Sequence, residues 1–178
     1  IFLATIENYG ARSFLWNTET NRSPLNFDKV ADLRKPLLKF NPNRDNLIVS
    51  ASDGGSIFKF DSLEKAGTFS ESFISFSPNG KIFITKSPQG NDKLALRDSE
   101  TGVLTRRLEG SENFKGTSAE FAFDKKSKRI GALQFSTFGG FYVWESDTGK
   151  PISKIDLPES WRDGAISNWA KALNLDAG

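Results

Sequence analysis

One stretch constrains this chain more than any other: Ser50-Ala51-Ser52-Asp53-Gly54-Gly55-Ser56-Ile57-Phe58-Lys59-Phe60-Asp61. It predicts the end of one strand, a tight turn at Asp53-Gly54-Gly55, and a second strand closing on an aromatic followed by Asp. Glycines after Asp supply the positive φ of a short hairpin turn. In the second strand Ile57 alternates against Phe58 and Phe60, the period of a half-buried strand. Variants of this hairpin recur along the chain, and a recurring supersecondary unit fixes a fold more firmly than any single one.

Two anchors define the repeat. The first is an aromatic closing a strand before a polar turn: Phe40 (Phe-Asn-Pro-Asn), Phe76 (Phe-Ser-Pro-Asn-Gly) and Phe123 (Phe-Asp-Lys-Lys-Ser). The second closes a later strand: Trp16-Asn17, Phe60-Asp61, Arg97-Asp98 and Trp144-Glu145. Within a unit the anchors lie 20, 21 and 21 residues apart, and successive second anchors are separated by 44, 37 and 47. A four-stranded propeller blade takes roughly 40–45 residues. Polar turns follow each second anchor, as in Ser99-Glu100-Thr101-Gly102 and Ser146-Asp147-Thr148-Gly149.

The predicted strands are 37–40, 47–52, 56–61 and 66–69 in the second unit, and 73–77, 82–87, 94–98 and 103–108 in the third. The fourth holds 119–124, 130–136, 141–145 and 152–157, and the first holds 1–8, 13–17 and 24–27. The units span approximately 1–34, 35–70, 71–113 and 114–163, with 164–178 opening another, all within a single domain. Innermost strands such as Phe73-Ile74-Ser75-Phe76 are expected to be buried on both faces, and outer strands such as Thr105-Arg106-Arg107 to be wet. For the tail, Ala172-Leu173-Asn174-Leu175-Asp176 resembles Glu120-Phe121-Ala122-Phe123-Asp124. A helix over 165–175 is the rival reading, without a clean apolar stripe.

These residues resemble the WD-repeat family of β-propellers. The stretch 50–61 is a near-complete copy of the family's middle hairpin, with Phe60-Asp61 where the Trp-Asp pair falls. Trp144-Glu145 and Trp16-Asn17 are looser copies, and Phe-Ser-Pro-Asn-Gly-Lys at 76–81 matches the inner hairpin. The family often places Gly-His before the innermost strand, its His bonding the hairpin Asp. No His occurs here, so that network cannot take its usual form. TolB-like and surface-layer propellers share the inner hairpin and remain compatible. The fold class implied is all-β: a propeller of four-stranded antiparallel blades, about four units being present. The segment is read as an excerpt of a seven- or eight-blade ring, closed by missing blades or by self-association with a second copy.

Composition narrows the chemistry. Among 178 residues there is no Cys and no His, which excludes thiolate metal sites, disulfides and the commonest general base. Lys and Arg number 24 against 22 Asp and Glu, intermixed, which argues against a nucleic-acid binder driven by bulk charge. No run approaches a membrane span, and no signal peptide is visible, so the expected setting is cytoplasmic without membrane contact. The chain opens at Ile1 and contains no Met, so the native N-terminus is expected to lie outside it.

Each candidate site carries a bland alternative. Asp53 reads as a turn residue, and Gly54-Gly55 and Gly139-Gly140 as hairpin turns; no helix follows either pair, as a phosphate loop requires. Lys125-Lys126-Ser127-Lys128-Arg129 is the densest charge run and reads as a solvated hairpin tip. Asn21-Arg22-Ser23 is a formal glycosylation acceptor followed by Pro24, read as chance. Carboxylate pairs could act on glycosides only at a separation that sequence does not show. The aromatics expected on loop tips are Tyr9, Phe114, Phe138, Trp161 and Trp169, which would anchor a protein or peptide partner. Expected, therefore, is a non-catalytic interaction scaffold with no catalytic residue, cofactor or metal. The alternatives are a propeller attached to a peptidase or signalling NTPase, and a carboxylate enzyme acting in the central channel.

Overall fold

The computed structural model describes residues 2–6, 13–17, 25–26, 37–51, 53–62, 64–87, 94–113, 119–134 and 139–156. They form antiparallel sheets of consecutive strands. The first sheet holds β1 (Phe2–Ile6), β2 (Ser13–Asn17) and β3 (Leu25–Asn26). The second holds β4 (Leu37–Phe40), β5 (Asn46–Ala51), β6 (Gly54–Lys59) and β7 (Lys65–Phe69). The third holds β8 (Ser72–Phe76), β9 (Ile82–Lys86), β10 (Leu94–Asp98) and β11 (Leu104–Arg107). The fourth holds β12 (Ala119–Phe123), β13 (Arg129–Gln134), β14 (Gly140–Glu145) and β15 (Pro151–Asp156). Each four-stranded sheet is an up-and-down meander, as short hairpin connections dictate.

The hairpins are set by local chemistry. Asp124 Oδ1 accepts the backbone N–H groups of Lys128 (2.6 Å) and Arg129 (2.9 Å), closing the β12–β13 turn. Asp98 Oδ1 accepts from Glu100 N and Thr101 N at 3.1 and 2.9 Å, closing the β10–β11 turn. That turn ends at Gly102 (φ +76), whose N–H bonds Asp98 O at 2.9 Å; Gly149 (φ +75) does the same to Glu145 O at 2.8 Å. Both glycines also lie against the preceding sheet. A Cβ on Gly102 would come within 2.8 Å of Thr68 O, and one on Gly149 within 2.5 Å of Arg107 O.

The 50–61 hairpin forms with a shifted turn. Ala51 pairs with Gly54 and Ser50 with Gly55, so both glycines belong to β6 rather than to the turn. Neither has positive φ. A side chain at Gly55 would collide with the Phe69 ring, and one at Gly54 would reach 2.6 Å from Phe69 O. Close approach of β7 is what requires glycine here. Gly140 likewise opens β14, paired with Gln134, instead of turning.

The core lies between sheets. Ile48, Ile57 and Phe69 of the second sheet meet Phe73 and Phe83 of the third, and Phe76 packs against them. Phe83 has ring centroids 5.0, 5.7 and 6.0 Å from Phe69, Phe73 and Phe76, which accounts for part of the chain's Phe content. Ile84, Leu94, Leu96 and Leu108 of the third sheet meet Ile130, Ala132, Tyr142 and Trp144 of the fourth. Tyr142 stacks on Trp144 at 5.6 Å, and Trp144 Nε1 donates to Glu109 O at 2.9 Å.

One sequence expectation reverses. The innermost strands β4, β8 and β12 are only partly buried, whereas β5 and β10 are buried almost throughout. An innermost strand is a sheet edge with a ladder partner on one side only, while the middle strands are enclosed by ladders and by facing sheets. Within 50–61, Phe58 is the fully buried aromatic and Phe60 is half-buried, 5.4 Å from Phe40. The outer strands β11 and β15 are wet, as expected. The possible helix over 165–175 and the Asn21 acceptor lie outside the described residues.

Candidate binding site at the junction of the second and third sheets

Polar contacts gather at both ends of the junction between the second and third sheets. At one end, Glu71 sits between β7 and β8 with only 8 % of its side chain exposed. Its Oε2 accepts from Thr85 Oγ1 and from Arg97 Nε (3.2 Å), and its Oε1 from Arg107 Nη1 (3.4 Å). Arg97, itself 11 % exposed, spends Nη1 on Gly102 O at 2.8 Å. Burial alone would raise the Glu71 carboxyl. The hydrogen bonds from Thr85 and Arg97, with the charges of Arg97 and Arg107, outweigh it and hold the group below its ordinary value.

This cluster was not anticipated from sequence, yet signals existed. Arg97 stands where the other units carry Trp16, Phe60 and Trp144, and Glu71 immediately precedes an innermost strand. A buried cation at an aromatic's position demands a buried anion. Arg107, on an outer strand expected to be wet, supplies part of the answer. Arg106 reaches the fourth sheet at Ser146 O, 3.2 Å away.

The other end of the junction is held by turns. Asn41 Nδ2 donates to Gly80 O (2.9 Å), Asn43 Nδ2 to Pro78 O, and Asn46 Nδ2 to Ser99 O (3.0 Å). Arg44 pairs with Glu100 across the sheets. Between the β4–β5, β6–β7 and β10–β11 turns these contacts leave a cleft of about 760 Å³. Its walls include Asp45, Asn46, Phe60, Asp61, Lys65 and Thr101. Lys59 pairs with Glu64 at 3.1 Å on its rim. Asn46 is 5 % exposed, and its Oδ1 has no hydrogen-bond partner.

Another groove lies along β12–β14. Phe123, Phe141 and Val143 line it beside Lys125, Lys126 and Arg129. The charge run there forms an exposed hairpin tip around buried Ser127. Lys128 is engaged with Asp147 at 2.6 Å; that hydrogen bond raises the lysine and lowers the aspartate.

Tyr9, Phe114, Phe138, Trp161 and Trp169 all lie outside the described residues, so the cleft was reached from the structure and not from them. Asp53 occupies the turn assigned to it. Among the described residues no group of three Asp or Glu converges to hold a metal ion.

Stacked four-stranded antiparallel meanders define a β-propeller, and solved structures carry the same fold. The chain is similar to the crystal structure of the eukaryotic initiation factor, at 15 % identity and TM-score 0.63, over 88 % of this chain and 39 % of that one. It is similar to the Kuenenia stuttgartiensis hydrazine synthase, at 14 % identity and TM-score 0.61, over 88 % and 46 %. It is also similar to the dihydro-heme d1 dehydrogenase NirN in complex with DHE, at 10 % identity and TM-score 0.65, over 89 % and 36 %. The chain thus spans less than half the length of each of these. No protein-family model and no curated protein sequence matches it.

Proposed function

We propose that this chain is a non-catalytic segment of a WD-repeat-type propeller that binds a protein or peptide partner. The observation that carries this is the fate of Glu71. Among the described residues it is the buried carboxylate with a displaced pKa, the usual mark of a general acid or base. Its displacement is downward, whereas a general acid at neutral pH needs the opposite. Its oxygens are taken up by Thr85, Arg97 and Arg107 of the third sheet, which pin the β7–β8 connection. The chain's lack of His and Cys leaves its serines without the usual activating base. The WD-repeat assignment rests on the repeat spacing and on the hairpins at 50–61 and 76–81.

Panning a phage-displayed peptide library against the purified chain tests the proposal. Enrichment of a common motif is the expected result. No enrichment, together with turnover of chromogenic glycoside or peptide substrates, would overturn it. A second reading, a propeller within a larger enzyme with the chemistry elsewhere, is favoured by the short coverage of the matched chains. Two of those are a hydrazine synthase and a dehydrogenase.

A further inference from the structure

We infer that Asn79 is a spontaneous modification site: it cyclises with Gly80 to a succinimide and hydrolyses to aspartate and isoaspartate, at a rate that the sheet junctions hold down. Asn79-Gly80 is the sole Asn-Gly pair in the chain. Glycine leaves the attacking backbone nitrogen unhindered, because it has no side chain. In the reaction the Gly80 nitrogen loses its proton and bonds to Asn79 Cγ, and the side-chain nitrogen leaves as ammonia. Water then adds to one of the two ring carbonyls and the ring C–N bond at that carbon breaks. Opening at the side-chain carbonyl gives aspartate. Opening at the main-chain carbonyl gives isoaspartate, with the chain rerouted through Cβ. Water is the only co-reactant.

The structure prepares one half of this reaction and withholds the other. Asn79 is exposed, so water reaches it. Its Oδ1 accepts from Lys81 N at 3.0 Å, which polarises the side-chain carbonyl toward attack. The nucleophile is tied down. Gly80 N donates to Ser77 O at 2.9 Å, and that bond must break before the nitrogen gives up its proton. Neighbouring groups hold the turn in place. Gly80 O accepts from Asn41 Nδ2 (2.9 Å) and from Ser99 Oγ, Pro78 O accepts from Asn43 Nδ2, and Asn79 N donates to Ser127 Oγ at 3.1 Å. The β8–β9 turn is thus where turns of the second and fourth sheets both reach the third. Glycine is required there, since Gly80 has φ +67 and a Cβ on it would strike Asn41 Oδ1. The residue that the junction demands is the one that permits cyclisation. An aspartate product keeps the acceptor for Lys81 N. Isoaspartate lengthens the backbone between Asn79 N and Gly80 O, which pulls the Ser127 and Asn41 tethers out of register.

The test incubates the full chain at mildly alkaline pH beside the peptide Ac-Ser-Pro-Asn-Gly-Lys-NH2 and the chain unfolded in urea. Ammonia release and a tryptic mass map follow the reaction, and labelling by an isoaspartyl methyltransferase identifies the rerouted product. In the unfolded chain Asn79 should react at the peptide's rate and ahead of every other asparagine. In the folded chain it should react at least about tenfold more slowly, the equivalent of opening one hydrogen bond before each attempt. Urea below the unfolding transition should raise the Asn79 rate and the hydrogen exchange of the Gly80 amide in parallel, a check that needs no variant. Asn41→Ala, which removes one tether on Gly80 O, should speed both together. The isolated isoaspartyl chain should melt below Asn79→Asp, which should melt close to wild type. A folded chain reacting as fast as the peptide, or a rate that ignores Gly80 exchange, would overturn the proposed restraint. Another asparagine reacting first in the unfolded chain would overturn the site itself. An isoaspartyl chain melting with Asn79→Asp would overturn the consequence drawn for the junctions.

Discussion

Replacing Glu71 with Gln tests the idea that a buried carboxylate, not an aromatic, fastens the β7–β8 connection to the third sheet. The substitution keeps size and one acceptor but removes the charge facing Arg97, whose side chain is 11 % exposed, and Arg107, whose side chain is 48 % exposed. Breaking a buried pair outright costs about 3–5 kcal/mol, and one hydrogen bond to a charged group contributes about 1.5–3. The half-exposed Arg107 at 3.4 Å adds little, since exposed pairs contribute less than about 1 kcal/mol. Glutamine retains part of the Arg97 contact, so the expected loss is about 2–4 kcal/mol. For a chain of this length that is a fall in Tm of roughly 4–16 °C at pH 7. The pH dependence gives a second check. The folded carboxyl lies below its ordinary 4.5, so its contribution is fully present above that value. It is lost as the pH falls through the lower, folded value. Thermal melts of wild type and Glu71→Gln from pH 7 down to pH 3 should therefore converge only below about pH 4.5. Equal melting temperatures at pH 7, or a gap that widens on acidification, would refute the reasoning.

Other substitutions separate the structural roles. Trp144→Ala removes a side chain 1 % exposed and its bond to Glu109 O, and should cost about 3–5 kcal/mol in urea unfolding. Phe60→Ala, at a half-buried ring, should cost only about 1–2 kcal/mol; a loss equal to that of Trp144→Ala would place Phe60 in the core. Gly67→Ala drives a methyl into the carbonyl of Thr101 on the next sheet, and overpacking against backbone should cost about 3 kcal/mol in the same assay. Asp147→Asn breaks the Lys128 pair, but both side chains are 63 % exposed, so the melting temperature should stay unchanged.

What sequence alone determined here was local. Turn residues such as Asp98, Asp124, Gly102 and Gly149 act on their own hairpins, and runs of Ile and Phe between turns declare strands. Their recurrence therefore sufficed to delimit four-stranded units and the wet outer strands. Contacts between sheets belonged to the tertiary structure. Gly54 and Gly55 looked like turn residues because any glycine after Asp does; only the arrival of Phe69 shows that they make room. The inner strands looked buried because they are apolar, but ladder position, which no composition reports, makes them an edge. Glu71, Arg97 and Arg107 are separated by 26 and 10 residues along the chain, and only the lateral pairing of β8 to β11 makes them one cluster. The same holds for the cleft. Asn46 and Ser99 are 53 residues apart, and an acceptor left unpaired is a property of everything around it, visible only once the sheets are packed.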